Sequence, residues 1–233
     1  MDNKRKNELG RIFIFSNKIS AEEFEKVNMQ ELVFLIFTMR VLKEKNALNN
    51  HDYDGKIIAF TRAHTYFKQI NTELLGLSID SNASHLAWIY DIYCRTGIQI
   101  SFPIIADRSG EIARKYGMIA SDISNVETVR NVFIIDDNGI VRTILIYPMT
   151  IGRFIPEILR IVQALQISDC TQGSTAANWI PNQPVIVPPP KTFCELQERQ
   201  QQIEKNKNGI NWYLSFKEPS QKCINNGISP CDE

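Results

Sequence analysis

The chain has 233 residues, of which 43% are hydrophobic and 22% charged. That suffices for one globular domain of about 150 residues and a sizeable appendage. Lys plus Arg number 26 and Asp plus Glu number 26, which argues against a general nucleic-acid or anionic-membrane binder, since either carries a basic surplus. A normal apolar fraction with 9% aromatics argues against overall disorder.

The opening MDNKRKNELG is basic, but Asn, Glu and Gly stand where an apolar segment would follow, so no signal peptide is expected. The longest apolar stretch, LVFLIF from Leu32 to Phe37, is interrupted by Arg40, Lys43 and Lys45, whereas a membrane span needs roughly 20 apolar residues. Cys94, Cys170, Cys194, Cys223 and Cys231 form no CxxC, and His51, His64 and His85 form no HxxxH. No metal-ligand spacing is therefore present, and a reducing cytoplasm is the expected compartment.

Three zones follow. Residues 1–55 are rich in Asn, Lys and Glu and hold one amphipathic helix over Ala21 to Lys45. Residues 56–168 alternate helix-like and strand-like segments, and residues 169–233, rich in Pro, Gln, Asn and Ser, read as an extended arm. In the middle zone Ile57 to Ile70 carries apolar residues at 57, 60, 63, 66, 67 and 70, near helical spacing. ELLGLSID (73–80) suits a buried strand. Ser81 or Asn82 caps a helix through Arg95, ended by Gly97. FPIIAD (102–107) is a second strand, and Ser109 caps a short helix ended by Gly117. VRNVFII (129–135) and IVRTILIY (140–147) flank the turn signal Asn138-Gly139, which predicts a hairpin. A last core helix runs from Pro156 to Leu165, with Ile155, Ile158, Leu159, Val162 and Leu165 on one face. ELQERQQQIEKNK (195–207) reads as a polar, solvated helix. Alternating strands and helices closed by a hairpin predict an α/β fold with a mixed sheet covered on both faces.

The wording of several segments is more specific than their periodicity. LLGLSIDSNASHLAWI (74–89), FPIIAD (102–107), ARKYGMI (113–119), TVRNVFIIDDNGIVR (128–142), YPMTIGRFIPEILRIVQALQ (147–166), ANWIPNQPVIVPPPKT (177–192) and NWYLSF (211–216) keep one order along the chain. On these stretches the chain resembles the peroxiredoxins, closest to the one-cysteine and archaeal-type group with a long C-terminal arm. The resemblance implies a thioredoxin-like fold, with one more strand before the first helix. It implies thiol-dependent reduction of hydrogen peroxide and alkyl hydroperoxides, with a thiol reductant and no metal or organic cofactor. It also implies a homodimer or larger ring. In such enzymes a thiolate attacks the peroxide O–O bond and becomes a sulfenic acid that a second thiol resolves. A helix N-terminus and an arginine lower the thiol pKa.

The family motif P-x-x-x-T-x-x-C is absent. Anchoring on IAFT places Tyr53 at the cysteine, Asn50 at the threonine and Asn46 at the proline. A phenol, with pKa near ~10 and no soft sulfur, does not replace that nucleophile. A second alignment likens DYDGK (52–56) to the family segment before the strand that leads into the motif. In that reading the strand and catalytic loop are missing and the sheet has a gap. The opening 50 residues do not resemble the family's opening hairpin. The archaeal-type arm motif C-x-D-W-x-x-C is also replaced, with Gly209 and Ser215 at its cysteines and Asn211 at its aspartate.

By resemblance, Arg130 matches the family arginine that contacts thiolate and peroxide, and Arg153 a second arginine that supports the site. His85 and Trp88 match positions near the site and its subunit contact, with packing as their expected role. Trp212 matches an arm tryptophan that packs near a neighbouring site, or else makes a plain arm–core contact. Cys94 is expected to be a buried, inert thiol. Cys170 and Cys194 are expected to be exposed bystanders, and Cys223 and Cys231 lie on the tail. The expected function is that of a peroxiredoxin-family protein with little or no peroxidase activity by the usual mechanism. The alternative is a catalytically inactive subunit acting through oligomerisation or as a holdase.

Overall fold

The computed structural model describes residues 33–38, 51–118, 130–148 and 151–225. Within them the described residues up to Ile155 form one compact unit and those from Pro156 a second. The boundary expected between residues 168 and 169 falls inside a helix.

The first unit is built on a five-stranded mixed sheet. Its strands are β1 (Val33–Thr38), β2 (Thr72–Ser78), β3 (Ile104–Ala106), β4 (Arg130–Ile135) and β5 (Val141–Tyr147), in the order β3-β2-β1-β4-β5. β1 runs parallel to β2 and antiparallel to β4, and β5 pairs antiparallel with β4. Parallel neighbours need crossover helices. These are α1 (His51–Gln69) and α2 (Asn82–Thr96), with the short α3 (Glu111–Lys115) following β3.

Two expectations are corrected by β1. The helix expected over Ala21–Lys45 has a strand in its middle; residues 21–32 and 39–45 lie outside the described residues. VFLIFT is a short, continuous apolar run with β-branched and aromatic members, which suits a strand paired on both sides as well as a buried helix turn. The gap foreseen in the sheet is filled, because this segment of the opening zone occupies the centre. DYDGK lies within α1, so it does not stand where the second alignment put it, ahead of a missing strand.

α1 buries Ile57, Phe60, His64 and Phe67, with Ile70 buried just past its end, while Tyr66 is 50% exposed. The helical stripe thus runs through His64 instead of Tyr66. The imidazole is accommodated because its Nδ1 lies 2.6 Å from the Ser101 hydroxyl. Leu75, Leu77, Ile105, Ala113, Met118, Phe133 and Ile135 form a core cluster of the sheet and α3.

Local signals set the ends. Ser81 caps α2, its hydroxyl accepting the Ser84 N–H at 3.2 Å, and Gly97 closes that helix in the left-handed region at φ 69. The expected Ser109 cap of α3 does not form. Buried Asp107 takes its place, accepting the Ile112 and Ala113 N–H groups at 3.2 and 2.7 Å. A carboxylate reaching from the strand end satisfies two helix N–H groups at once. In the hairpin, Asp136 Oδ1 accepts from the Asn138 and Ile140 N–H groups, and Gly139 sits at φ 75.

The second unit takes in α4 (Ile155–Thr171) from Pro156 onward, a helix longer than the Pro156–Leu165 one expected. It continues through β6 (Val185–Ile186), α5 (Phe193–Asn206), β7 (Gly209–Asn211), β8 (Leu214–Lys217) and α6 (Gln221–Asn225). The strands form an antiparallel sheet in the order β6-β8-β7. Ile167, Trp179 and Val185 make its buried cluster, with Ala164 and Cys223 packed against it. The Trp179 indole N–H donates to the Gln183 carbonyl at 3.0 Å. Cys170, at the end of α4, and Cys223, in α6, are joined by a disulfide. The expectation of a bystander thiol at Cys170 is therefore corrected.

Candidate active site

The site is assembled where β4 begins and β5 ends. The hairpin register, shifted by one residue between Ile134 and Ile135, sets Arg130 opposite Tyr147. Arg130 is half-buried at the first position of β4. Next to it Asn131 is buried, and its backbone carbonyl accepts a hydrogen bond from Arg153 Nη2 at 3.2 Å. Arg153 comes from the segment after β5, so one backbone contact spanning 22 positions holds the second guanidinium near the first.

Burial lowers the Arg153 pKa to about 10; the positive charge of Arg130 acts in the same direction and Tyr147 opposes it. The group remains a cation at neutral pH. A second positive charge close enough to lower the Arg153 pKa favours an anion over a further cation at this end of the sheet. A thiolate, a carboxylate or a polarised peroxide oxygen meets that description, because a guanidinium donates several hydrogen bonds in a fixed fork.

The other residues singled out from the sequence are placed as follows. Tyr53 lies in the first turn of α1; its side chain is outside the described residues. His85 and Trp88 are on α2, the first buried and the second half-buried. Trp212 belongs to the second unit, in the β7–β8 turn, where its ring meets Tyr213 edge-on at 5.6 Å. Cys94 is exposed, not buried as expected, because it stands on the outer side of α2, whose buried face is carried by His85, Ile89 and Ile92. Among the described residues no group of three His, Cys, Asp or Glu side chains is arranged to hold a metal ion, and no helix is long and apolar enough to cross a membrane. Asn131 and Tyr147 escaped sequence reasoning. The turn at Asn138-Gly139 was a partial signal for Tyr147, because a one-residue register shift between Ile134 and Ile135 intervenes; the carbonyl of Asn131 left none.

His85 is titratable and buried, and its pKa lies below the ordinary value of 6.5 because burial outweighs the attraction of Asp80. The folded state therefore binds this proton less readily than the unfolded chain. Its contribution to stability is full above pH 6.5 and is lost as pH falls below that value. The melting temperature is expected to drop between pH 7.5 and 5.5, and His85→Gln is expected to flatten that slope. Equal slopes for the two proteins would remove His85 as the cause.

A mixed sheet in the order β3-β2-β1-β4-β5 with crossover helices is a thioredoxin-like arrangement. The comparisons narrow this. Residues 54–144 match the model of the AhpC/TSA family, and residues 164–202 that of the C-terminal domain of 1-Cys peroxiredoxin. The chain is 51% identical over 162 residues to "Peroxiredoxin 2" of Caldanaerobacter subterraneus subsp. tengcongensis, covering 70% of this chain and 73% of that one. It is 42% identical over 172 residues to a peroxiredoxin of Aquifex aeolicus, covering 70% and 76%. Among solved structures, a yeast mitochondrial 1-Cys peroxiredoxin superposes with a TM-score of 0.68 at 30% identity, covering 82% of this chain and 88% of that one. The chain belongs to the peroxiredoxin family, and its fold is thioredoxin-like.

Proposed function

We propose that this chain keeps the anion-binding half of a peroxiredoxin site and lacks the usual sulfur nucleophile, so that it reduces hydrogen peroxide and alkyl hydroperoxides slowly or not at all by the family's ordinary route. The carrying observation is the pairing of Arg130 and Arg153 in a chain whose first cysteine is Cys94. The start of α1, where the family reading puts the cysteine, holds Tyr53. A phenol at neutral pH is protonated and its oxygen is hard, so it does not open an O–O bond as a thiolate does. By this reading Arg130 and Arg153 are the residues that would contact and support a bound oxidant, and His85 and Trp88 occupy family positions near the site and its subunit contact.

The test is peroxide consumption by the purified protein with dithiothreitol in excess. The expected rate is near that of dithiothreitol alone. Rapid turnover abolished by a single Cys→Ser substitution would overturn the proposal and identify a replacement nucleophile.

One observation favours a second role, that of a subunit acting through self-association, as the homodimer or ring of the family reading. β5 is the edge of the sheet, and its Ile144 and Ile146 are 49% and 68% exposed, with Ile140 and Val141 also uncovered at its start. An unpaired edge with apolar side chains is a template for pairing with a second copy. Light scattering is expected to give at least a dimer, and Ile146→Lys to shift it toward monomer. A monomer at ordinary concentrations would remove this role, and with it a holdase built on a ring. The cytoplasmic location belongs to the same reading; disulfides in such a compartment are mostly ones that open and close.

A further inference from the structure

The Cys170–Cys223 pair lies in the second unit and belongs to neither the arginine site nor the family's cysteine positions as aligned. Four observations bear on it. Cys170 is exposed at the end of α4, within reach of small molecules. Cys223 is half-buried and packs against the Ile167, Trp179 and Val185 cluster. The Ser220 hydroxyl donates to Cys223 Sγ at 3.3 Å. The bond closes a loop with a sequence separation of 53 that contains β6, α5, β7 and β8, and it fastens the short α6 to the end of α4.

We propose that Cys170 and Cys223 form a reversible redox site, closed by hydroperoxides and opened by small dithiols, whose state sets how firmly α6 is held to the rest of the second unit. Closing begins at exposed Cys170. Its thiolate attacks the terminal oxygen of a hydroperoxide, the O–O bond breaks, and the leaving alkoxide takes a proton to become the alcohol. This leaves a sulfenic acid on Cys170. The Cys223 thiolate attacks that sulfur, the S–S bond forms, and the hydroxyl leaves as water with the remaining proton. Two thiols are oxidised by two electrons, and one hydroperoxide is reduced to an alcohol and water. Opening runs by thiol–disulfide exchange. A dithiol attacks the accessible Cys170 sulfur, Cys223 leaves as a thiolate that accepts the Ser220 hydrogen bond, and the second thiol of the reductant releases Cys170 while the reductant becomes a disulfide.

The same placement predicts that closing is slow. Cys170 sits at a helix C-terminus, whose partial negative charge disfavours a thiolate. The site therefore consumes about one equivalent of peroxide per reduction and does not sustain rapid turnover, which separates its test from that of the arginine site. Opening removes the covalent link, leaving a five-residue helix held by a partly buried cysteine and its local hydrogen bonds.

The experiment uses the wild-type chain in two states, so no variant has to fold. Protein reduced with dithiothreitol and desalted is treated with one equivalent of hydrogen peroxide or left untreated. Both samples are alkylated and mapped by mass spectrometry, and both are given limited trypsin. The reduced sample is expected to carry label on Cys170 and Cys223 and to be cut after Lys217 or Lys222 at least tenfold faster than the oxidised one. The peroxide-treated sample is expected to lose both labels together and regain resistance. Full labelling of both residues after peroxide, or a bond from either one to a different cysteine, would overturn the redox site. Equal cleavage of the two states would overturn the control of α6.

Discussion

Tyr53→Cys is expected to raise peroxide consumption with dithiothreitol about tenfold or more above the parent chain. The reasoning begins with the thiol. A free cysteine, pKa near ~8.5, is mostly protonated at pH 7; a helix N-terminus and a neighbouring arginine bring reactive cysteines down to about 3.5–7.5. α1 begins at His51, so a thiol at residue 53 would stand in the first turn, where the helix dipole favours an anion. The Arg130–Arg153 pair supplies the cations, if the alignment on IAFT sets residue 53 against them. In that background Arg130→Ala is expected to remove about a hundredfold of the gained rate, the usual scale for losing one donor to a developing anion. A Tyr53→Cys protein that is folded, carries a free thiol there and still consumes no peroxide would sink the alignment. The parent's inactivity would then need another cause.

The second large effect concerns the centre of the sheet. Ile36→Pro is expected to destabilise the first unit by about 3 kcal/mol or more, enough to consume much of an ordinary domain's margin of roughly 5–15 kcal/mol. Ile36 lies between Leu75 of β2 and Phe133 of β4 in register. A strand with partners on both sides uses its backbone groups on both edges, and proline removes a donor and is found in sheets essentially only at edges and bulges. If residues 33–38 were instead a dispensable opening segment, the substitution would leave urea unfolding unchanged. A matched midpoint for the two proteins would therefore return the sheet to the gapped arrangement that one alignment foresaw.

These expectations differ in where their information lies. The hairpin was readable because Asn138-Gly139 chooses its own turn, whereas the one-residue register shift between Ile134 and Ile135, which sets Arg130 opposite Tyr147, was not. α2 was readable because its signals are local: a serine that accepts from Ser84 N at one end and a glycine in the left-handed region at the other. The family wording likewise lies in contiguous stretches, so the thioredoxin-like fold was legible in them.

β1 was not readable, because a six-residue apolar run fits a helix face or a two-sided strand equally well. Its identity is settled by partners far along the chain, Thr72–Leu77 and Val132–Ile135. The cap of α3 went to Asp107 instead of the nearer Ser109, because the end of β3 points a carboxylate at the helix start. The approach of Arg153 to Arg130 rests on a carbonyl of Asn131 that has no side-chain signature. Cys170 and Cys223 are the plainest case. Five scattered cysteines allow many pairings, and only the folding of the second unit brings these two together. Residue types and local turn chemistry thus determined which elements exist and which chemistry their side chains carry. Contacts between distant segments decided which strand fills the centre of the sheet, which thiols meet and how the two guanidinium groups are held, because such contacts depend on loop closure and shared burial that no local stretch of sequence records.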